Sequence, residues 1–187
     1  MFDYLELPVG PNPPEIVNAV VEVPFEGVNK YEYDRKLKVF RLDRSLHSPI
    51  HFPGDYGFIP QTTSVDGEAL DILVLVDNPS FCSCLLVARP IGVFEMIDNG
   101  VKDHKIIAVE DRNPRYAEVR EVPGLYSHSA REIEHFFSVY KALEKDQTKP
   151  VGWRESERAR AIISDSIRRY AESVVSRARP HIRCLRG

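Results

Sequence analysis

Between residues 17 and 110 the chain is a succession of short β-branched and aromatic runs, each closed by a turn signal, and this constrains the fold more than any other feature. The runs are "VNAVVEVPF", "NKYEYD", "LKVFRLD", "LDILVLVD", "CLLVARPIGVFEMID" and "HKIIAVE". Strands at this spacing predict a barrel or a sandwich. The period then changes. In "SAREIEHFFSVYKALEK" (129–145), Ile133, Phe136, Phe137, Tyr140 and Leu143 recur at three and four, the stripe of an amphipathic helix. "ESERARAIISDSIRRYAESVVSRA" (155–178) repeats the pattern through Ala159, Ile162, Ile163, Ile167, Ala171, Val174 and Val175. The reading is mainly β with helices (α+β), two helices packing against a β core.

The flanks and composition narrow the class. "PVGPNPPEI" (8–16) holds four prolines in nine residues, which exclude regular structure, so residues 1–16 read as an extended arm with order beginning near Val17. Residues 17–178 form one domain, and 179–187, part of the basic "RARPHIRCLRG", a frayed tail. At 187 residues with 43% hydrophobic content the chain can bury one core. The net charge of −3 calls for neither nucleic acid nor an anionic membrane. No apolar stretch approaches the roughly 18 residues of a membrane span, and the N-terminus has no cationic leader pattern. Cys82, Cys84 and Cys184 make neither a disulfide framework nor a C-x-x-C pair, which points to a reducing, cytoplasmic setting. Cys82 and Cys84 read as small buried residues sharing a strand face.

The polar residues on these strands carry the chemistry. In an extended "KYEYD", Lys30 and Glu32 share one face and Tyr31 and Tyr33 the other. "FPGDYGFIP" (52–60) is a tight loop that aims the phenol of Tyr56. Asp66, Glu68 and Asp71 precede a buried apolar run, and Asp98 and Asp103 flank the Asn99-Gly100 turn. Five carboxylates gathered in one cavity would repel one another unless cations neutralised them, and oxygen-only ligand sets suit Mg²⁺ or Mn²⁺. The interspersed Lys30, Arg44, Lys105 and Lys141 then call for an anion, and the whole describes a phosphate-handling site. The spacing is not an EF-hand, no P-loop is present, and the histidines have no metal-binding spacing; His104 points to the strand face opposite Asp103 and Lys105.

Eight motifs in order, "VEVP", "KYE", "LDR", "PGDYGFIPQT", "VDGEALDILVL", "RPIGVFEMID", "DHK" and "HFFSVYKALEK", resemble the family I soluble inorganic pyrophosphatases over roughly Val21 to Trp153. The resemblance implies a five-stranded OB-like β-barrel core flanked by the two helices, and hydrolysis of pyrophosphate with several Mg²⁺ ions per site. It assigns Asp66, Asp71 and Asp103 to the ions flanking the attacking water, and Asp98 with Asp103 to those arriving with substrate. Glu22 and Glu32 serve these metals directly or through water. Lys30, Arg44, Tyr56, Lys105, Tyr140 and Lys141 grip the phosphates, Tyr140 and Lys141 from the first helix. The short, bacterial-like length implies a homohexamer.

Two departures stand out. The family's D-G-D-P-x-D is D-G-E-A-L-D here, so Glu68 takes the place of the aspartate that is the candidate base, and Ala69 that of proline. One added methylene moves a carboxylate by roughly 1 Å, which can cost on the order of 10²-fold. Phe52 stands where the family has a phosphate-binding tyrosine. The competing readings are a weakened homologue that binds metal and phosphate without turnover, and an OB-type module for single-stranded nucleic acid, which the acidic mouth disfavours.

Overall fold

The computed structural model describes residues 2–144 and 148–178. Among the described residues, eight strands and two α-helices follow in the order β1 (Val17–Val23), β2 (Asn29–Asp34), β3 (Val39–Ser45), β4 (Asp55–Ile59), β5 (Leu70–Leu75), β6 (Leu85–Asp98), β7 (Val101–Glu110), α1 (Ser127–Val139), β8 (Thr148–Glu155) and α2 (Ser156–Ala178). The sheet order β1-β4-β5-β7-β6 closes on itself, because β6 also pairs with β1. Five strands therefore form a ring, the barrel of the two architectures expected, with β5 and β7 parallel and the other pairs antiparallel.

The long β6 makes closure possible. Its first residues pair with β1, Val17 opposite Ala88, and its last seven with β8, Asp98 opposite Thr148. Between them the register against β7 slips at Pro90/Gly92, a bulge that redirects the strand. Ring strands are buried on both faces, which is why β5 and β7 read as continuous apolar runs rather than alternating ones. Leu73, Leu75, Ile107 and Val109 pack with Ile133, Phe136 and Phe137 of α1, whereas Ile72, Val74, Ile106 and Ala108 belong to the cluster that holds Ala159, Ile162 and Ile163 of α2.

Several expectations need correction. "FPGDYGFIP" is a loop only at its start; Asp55–Ile59 is β4, fully buried between β1 and β5. "TKPVGWRE" forms β8, which its proline, charges and largely exposed side chains hid. The first helix ends at Val139, with Tyr140 as its C-cap and Lys141 in the following turn, and Leu143 is exposed. The apolar stripe of α2 is likewise unburied at Val174 and Val175. Cys82 and Cys84 are half-buried in the turn before β6, not on a strand face. Order begins well before Val17: Tyr4–Glu6 makes a 3₁₀ turn capped by Asp3, and Tyr4 packs on Tyr33 and Phe40. The tail 179–187, with Cys184, and Lys145 lie outside the described residues.

Gly57 shows how tightly β4 is held. A Cβ there would run into the backbone carbonyl of Val20 on β1. Gly57→Ala is therefore expected to lower stability by about 1–3 kcal/mol, the usual cost of overpacking, read as a reduced urea midpoint with an unchanged m-value.

Candidate active site

A cavity of about 370 Å³ opens at one end of the ring. It is lined by every site residue expected from the sequence except Arg44, and each is placed by its strand or turn. Glu22 sits at the register slip of β1 between Val21 and Val23, where its Oε1 accepts the backbone N–H of Tyr33 at 2.8 Å and so ties β1 to β2. Lys30 and Glu32 on β2 bond to each other. On β7, strict alternation directs Asp103 and Lys105 to the cavity while His104 turns away, 3.9 Å from Glu95. The loop before β5 folds on itself: Ser64 N–H donates to the Glu68 carbonyl at 2.7 Å, and Asp66 Oδ1 accepts the Glu68 N–H at 2.9 Å. That bond uses one oxygen of Asp66 and leaves the other for a ligand.

Lys105 is the electrostatic centre. Its ammonium, only 4% exposed, pairs with Asp71 and lies 2.8 Å from Asp103, with the Tyr56 hydroxyl at 3.3 Å. Tyr56 donates its own proton to Asp71 at 2.7 Å. Burial alone would lower the pKa of Lys105, but Asp71 and the other surrounding groups outweigh it and hold the ammonium well above its ordinary range. Burial pushes both Tyr56 and Tyr140 up, so both phenols remain proton donors. Asp103 is also raised by burial, with Lys105 opposing. Lys141, beyond the end of α1, reaches Asp98 at 2.6 Å. The two phenols rest on core rings, Tyr56 on Phe52 at 5.2 Å and Tyr140 on Phe136 at 5.5 Å between centroids.

The donor set fits hard cations. Seven carboxylates line the cavity against four cationic side chains, so it carries an excess of negative charge behind low-dielectric walls. Asp98 Oδ1 is buried without a hydrogen-bond partner among the described residues, an acceptor of the kind that a cation satisfies. As they stand, no three carboxylates among the described residues surround one point. The ammonium groups of Lys105 and Lys141 pair with Asp71, Asp103 and Asp98 instead.

One expected site residue lies outside the cavity, a departure from the family pattern sits beside it, and one lining residue was missed. Arg44, paired across the hairpin with Lys30, does not line the cavity; it bonds to Asp43 and, at 2.9 Å, to Glu144, and its Nη2 is buried without a partner among the described residues. Phe52 lines a separate cavity of about 720 Å³ and packs on the ring of Tyr56, one layer behind the carboxylate cavity. Arg35, just after β2, lines the carboxylate cavity and was missed. Its signal was a cation one residue beyond the strand that bears Lys30 and Glu32.

Glu22 makes the cation-free protein pH-sensitive. Burial pushes its carboxyl from 4.5 up to about 8, only partly opposed by the Tyr33 N–H. Between those values the folded state holds a proton that the unfolded state lacks. Stability is thus fully present below 4.5 and is lost as pH rises through 8. Buried His104, lowered from 6.5, acts with opposite sign but only below that value, and Cys82, raised from 9 to about 11, acts only above 9. Between pH 7 and 8.5 in chelator, the unfolding free energy of the wild type should fall with a slope of up to about 1.4 kcal/mol per pH unit. Glu22→Gln should flatten that slope, and equal slopes in urea titrations would count against this assignment.

The comparisons with known proteins agree with this geometry. Residues 19–171 match the Pyrophosphatase family model, described as inorganic pyrophosphatase. The chain is 43% identical over 169 residues to an inorganic pyrophosphatase of Nostoc sp., covering 90% of this chain and 99% of the relative. It is 42% identical over 158 residues to one from Geobacillus stearothermophilus, covering 84% and 96%. The crystal structure of the Thermus thermophilus inorganic pyrophosphatase superposes with a TM-score of 0.88 at 38% identity, covering 91% of this chain and 99% of that one. With the family model spanning most of the chain and relatives this close along nearly their whole length, the chain belongs to the inorganic pyrophosphatase family.

Proposed function

We propose that the protein hydrolyses inorganic pyrophosphate to two orthophosphates in a reaction that depends on Mg²⁺, with Mn²⁺ as an alternative ion. Family membership supports the activity, and the observation that carries it to these residues is the convergence of the expected carboxylates and cations, Arg44 apart, on one cavity. Divalent ions bound there supply Lewis acidity and neutralise charge on the phosphates.

The chain's own groups do the rest. Asp66, Asp71 and Asp103 would hold the ions that activate water, Asp98 with Asp103 would hold further ions, and Glu22 and Glu32 would serve them directly or through water. Glu68, at the exposed rim, takes a proton from the water as its oxygen attacks one phosphorus in line. The bridging P–O bond breaks, and the electron pair leaves with the second phosphate. Lys30, Lys105 and Lys141 offset the negative charge there, while Tyr56 and Tyr140, held protonated by burial, donate hydrogen bonds to phosphate oxygens. Arg44, bonded here to Asp43 and Glu144, would add a guanidinium to the phosphate contacts through Nη2, which has no partner among the described residues.

We further read the protein as a cytoplasmic homohexamer that binds neither nucleic acid nor membrane; among the described residues no helix is long and apolar enough to cross one. Phosphate release from pyrophosphate, measured against Mg²⁺ and Mn²⁺ concentration, tests the activity. Saturable, cation-dependent turnover is the expected result. A silent wild type that Glu68→Asp revives would mark a retired enzyme that only binds, and silence in both would end the reading.

A further inference from the structure

We propose that Arg35 grips the phosphate of pyrophosphate that lies nearest the cavity mouth, a substrate-binding role that rests on the pyrophosphatase reading. Four cationic residues line the carboxylate cavity, and three are already engaged: Lys30 with Glu32, Lys105 with Asp71 and Asp103, Lys141 with Asp98. The half-buried Arg35 makes no ion pair or hydrogen bond through its side chain to any described residue, although seven carboxylates share its cavity. Arg44, the arginine that the motifs favour, is tied to Asp43 and Glu144 away from the wall. Arg35 is thus the guanidinium that the cavity presents uncommitted, and its planar fork matches two oxygens of a phosphate better than an ammonium can.

Its position fixes which way the substrate lies. Arg35 also lines a neighbouring cavity of about 200 Å³, which Asp3 and Glu6 line as well. With divalent ions offsetting its carboxylates, the larger cavity with Lys30, Lys105 and Lys141 would attract a phosphate, whereas the smaller one offers, besides Arg35, only Glu6 and an Asp3 already paired with Lys38 at 3.2 Å as charged groups. Arg35 lines both cavities and so bounds the reach of pyrophosphate on this side.

Because this contact forms on binding and persists through the reaction, its loss should appear in KM rather than kcat. Steady-state kinetics with pyrophosphate, and inhibition by inorganic phosphate, are compared for wild type, Arg35→Gln and Arg35→Lys, alongside thermal midpoints. Arg35→Gln is expected to raise KM by about 10-fold or more, to weaken phosphate inhibition in parallel, and to hold kcat within about threefold. Arg35→Lys should recover part of the KM loss. An unchanged KM in an active Arg35→Gln protein overturns the assignment and leaves the pyrophosphatase reading standing. So does a fall in kcat alone, or a KM change that merely tracks a lowered thermal midpoint. A wild type with no turnover of pyrophosphate defeats the broader reading, and this one with it.

Discussion

Asp71→Asn should leave a folded protein whose pyrophosphate turnover is lower by on the order of 10³-fold, the scale on which losing a positioned charge at a phosphoryl-transfer centre is felt. Asp71 accepts the Tyr56 hydroxyl and pairs with Lys105, so it orients both groups as well as offering a charge to a cation. Asparagine keeps the shape but loses the charge, and its amide can present N–H toward a lysine. The fold survives because Lys105 retains Asp103 at 2.8 Å, which spares the protein an uncompensated buried ammonium. Lys105→Met tests the converse. It strips the shared partner from two carboxylates and should cost stability by about 3–5 kcal/mol in chelator, a loss that added Mg²⁺ restores in part. Phosphate release and calorimetry with and without Mg²⁺ check both variants; an Asp71→Asn protein within tenfold of wild type removes Asp71 from the reaction.

The second large effect belongs to Glu68. Glu68→Gln is expected to lower kcat by about 10²–10⁴-fold, the usual contribution of a general base, with less change in KM. Glu68→Asp should remain active within about tenfold of wild type. The reason lies in the loop. Gly67 has a φ of +93° and open space around it, and Glu68 follows it at the exposed rim, so the carboxylate is free to settle where the water is. The bond from the Glu68 N–H to Asp66 holds the Asp66 carboxylate against the Glu68 backbone while the Glu68 side chain adjusts. A Glu68→Gln enzyme as fast as wild type would assign the proton elsewhere.

The parts of the fold legible in the sequence were those where burial and pattern coincide. β5 and β7 are uninterrupted apolar runs because both faces are covered, and α1 shows its stripe wherever Ile133, Phe136 and Phe137 meet the ring. β4 was illegible because its glycine and flanking prolines speak for a turn, while tertiary crowding by β1 and β5 decides for a strand. β8 is an outer strand with little to bury, so no period betrays it. Leu143 continued the helical pattern past the point where the helix stops, since a residue in register can still face solvent. At the site, ordered motifs pointed to the carboxylates and lysines, but no local pattern could show that Glu144, a hundred residues away, holds Arg44 aside. Nor could it show that Arg35 is left uncommitted.

The packing of Tyr56 on Phe52 and of Tyr140 on Phe136 ties the core to the walls of the carboxylate cavity at a few positions. Variants selected only for surviving high temperature would drift in turnover whenever they sampled residues 52 and 136, because repacking there swings a phenol away from its phosphate oxygen. Sampling beneath α2, at Ala159, Ile162 and Ile163, would leave the rate alone. Thermal hardening of this scaffold therefore has one permissive face and one that is not.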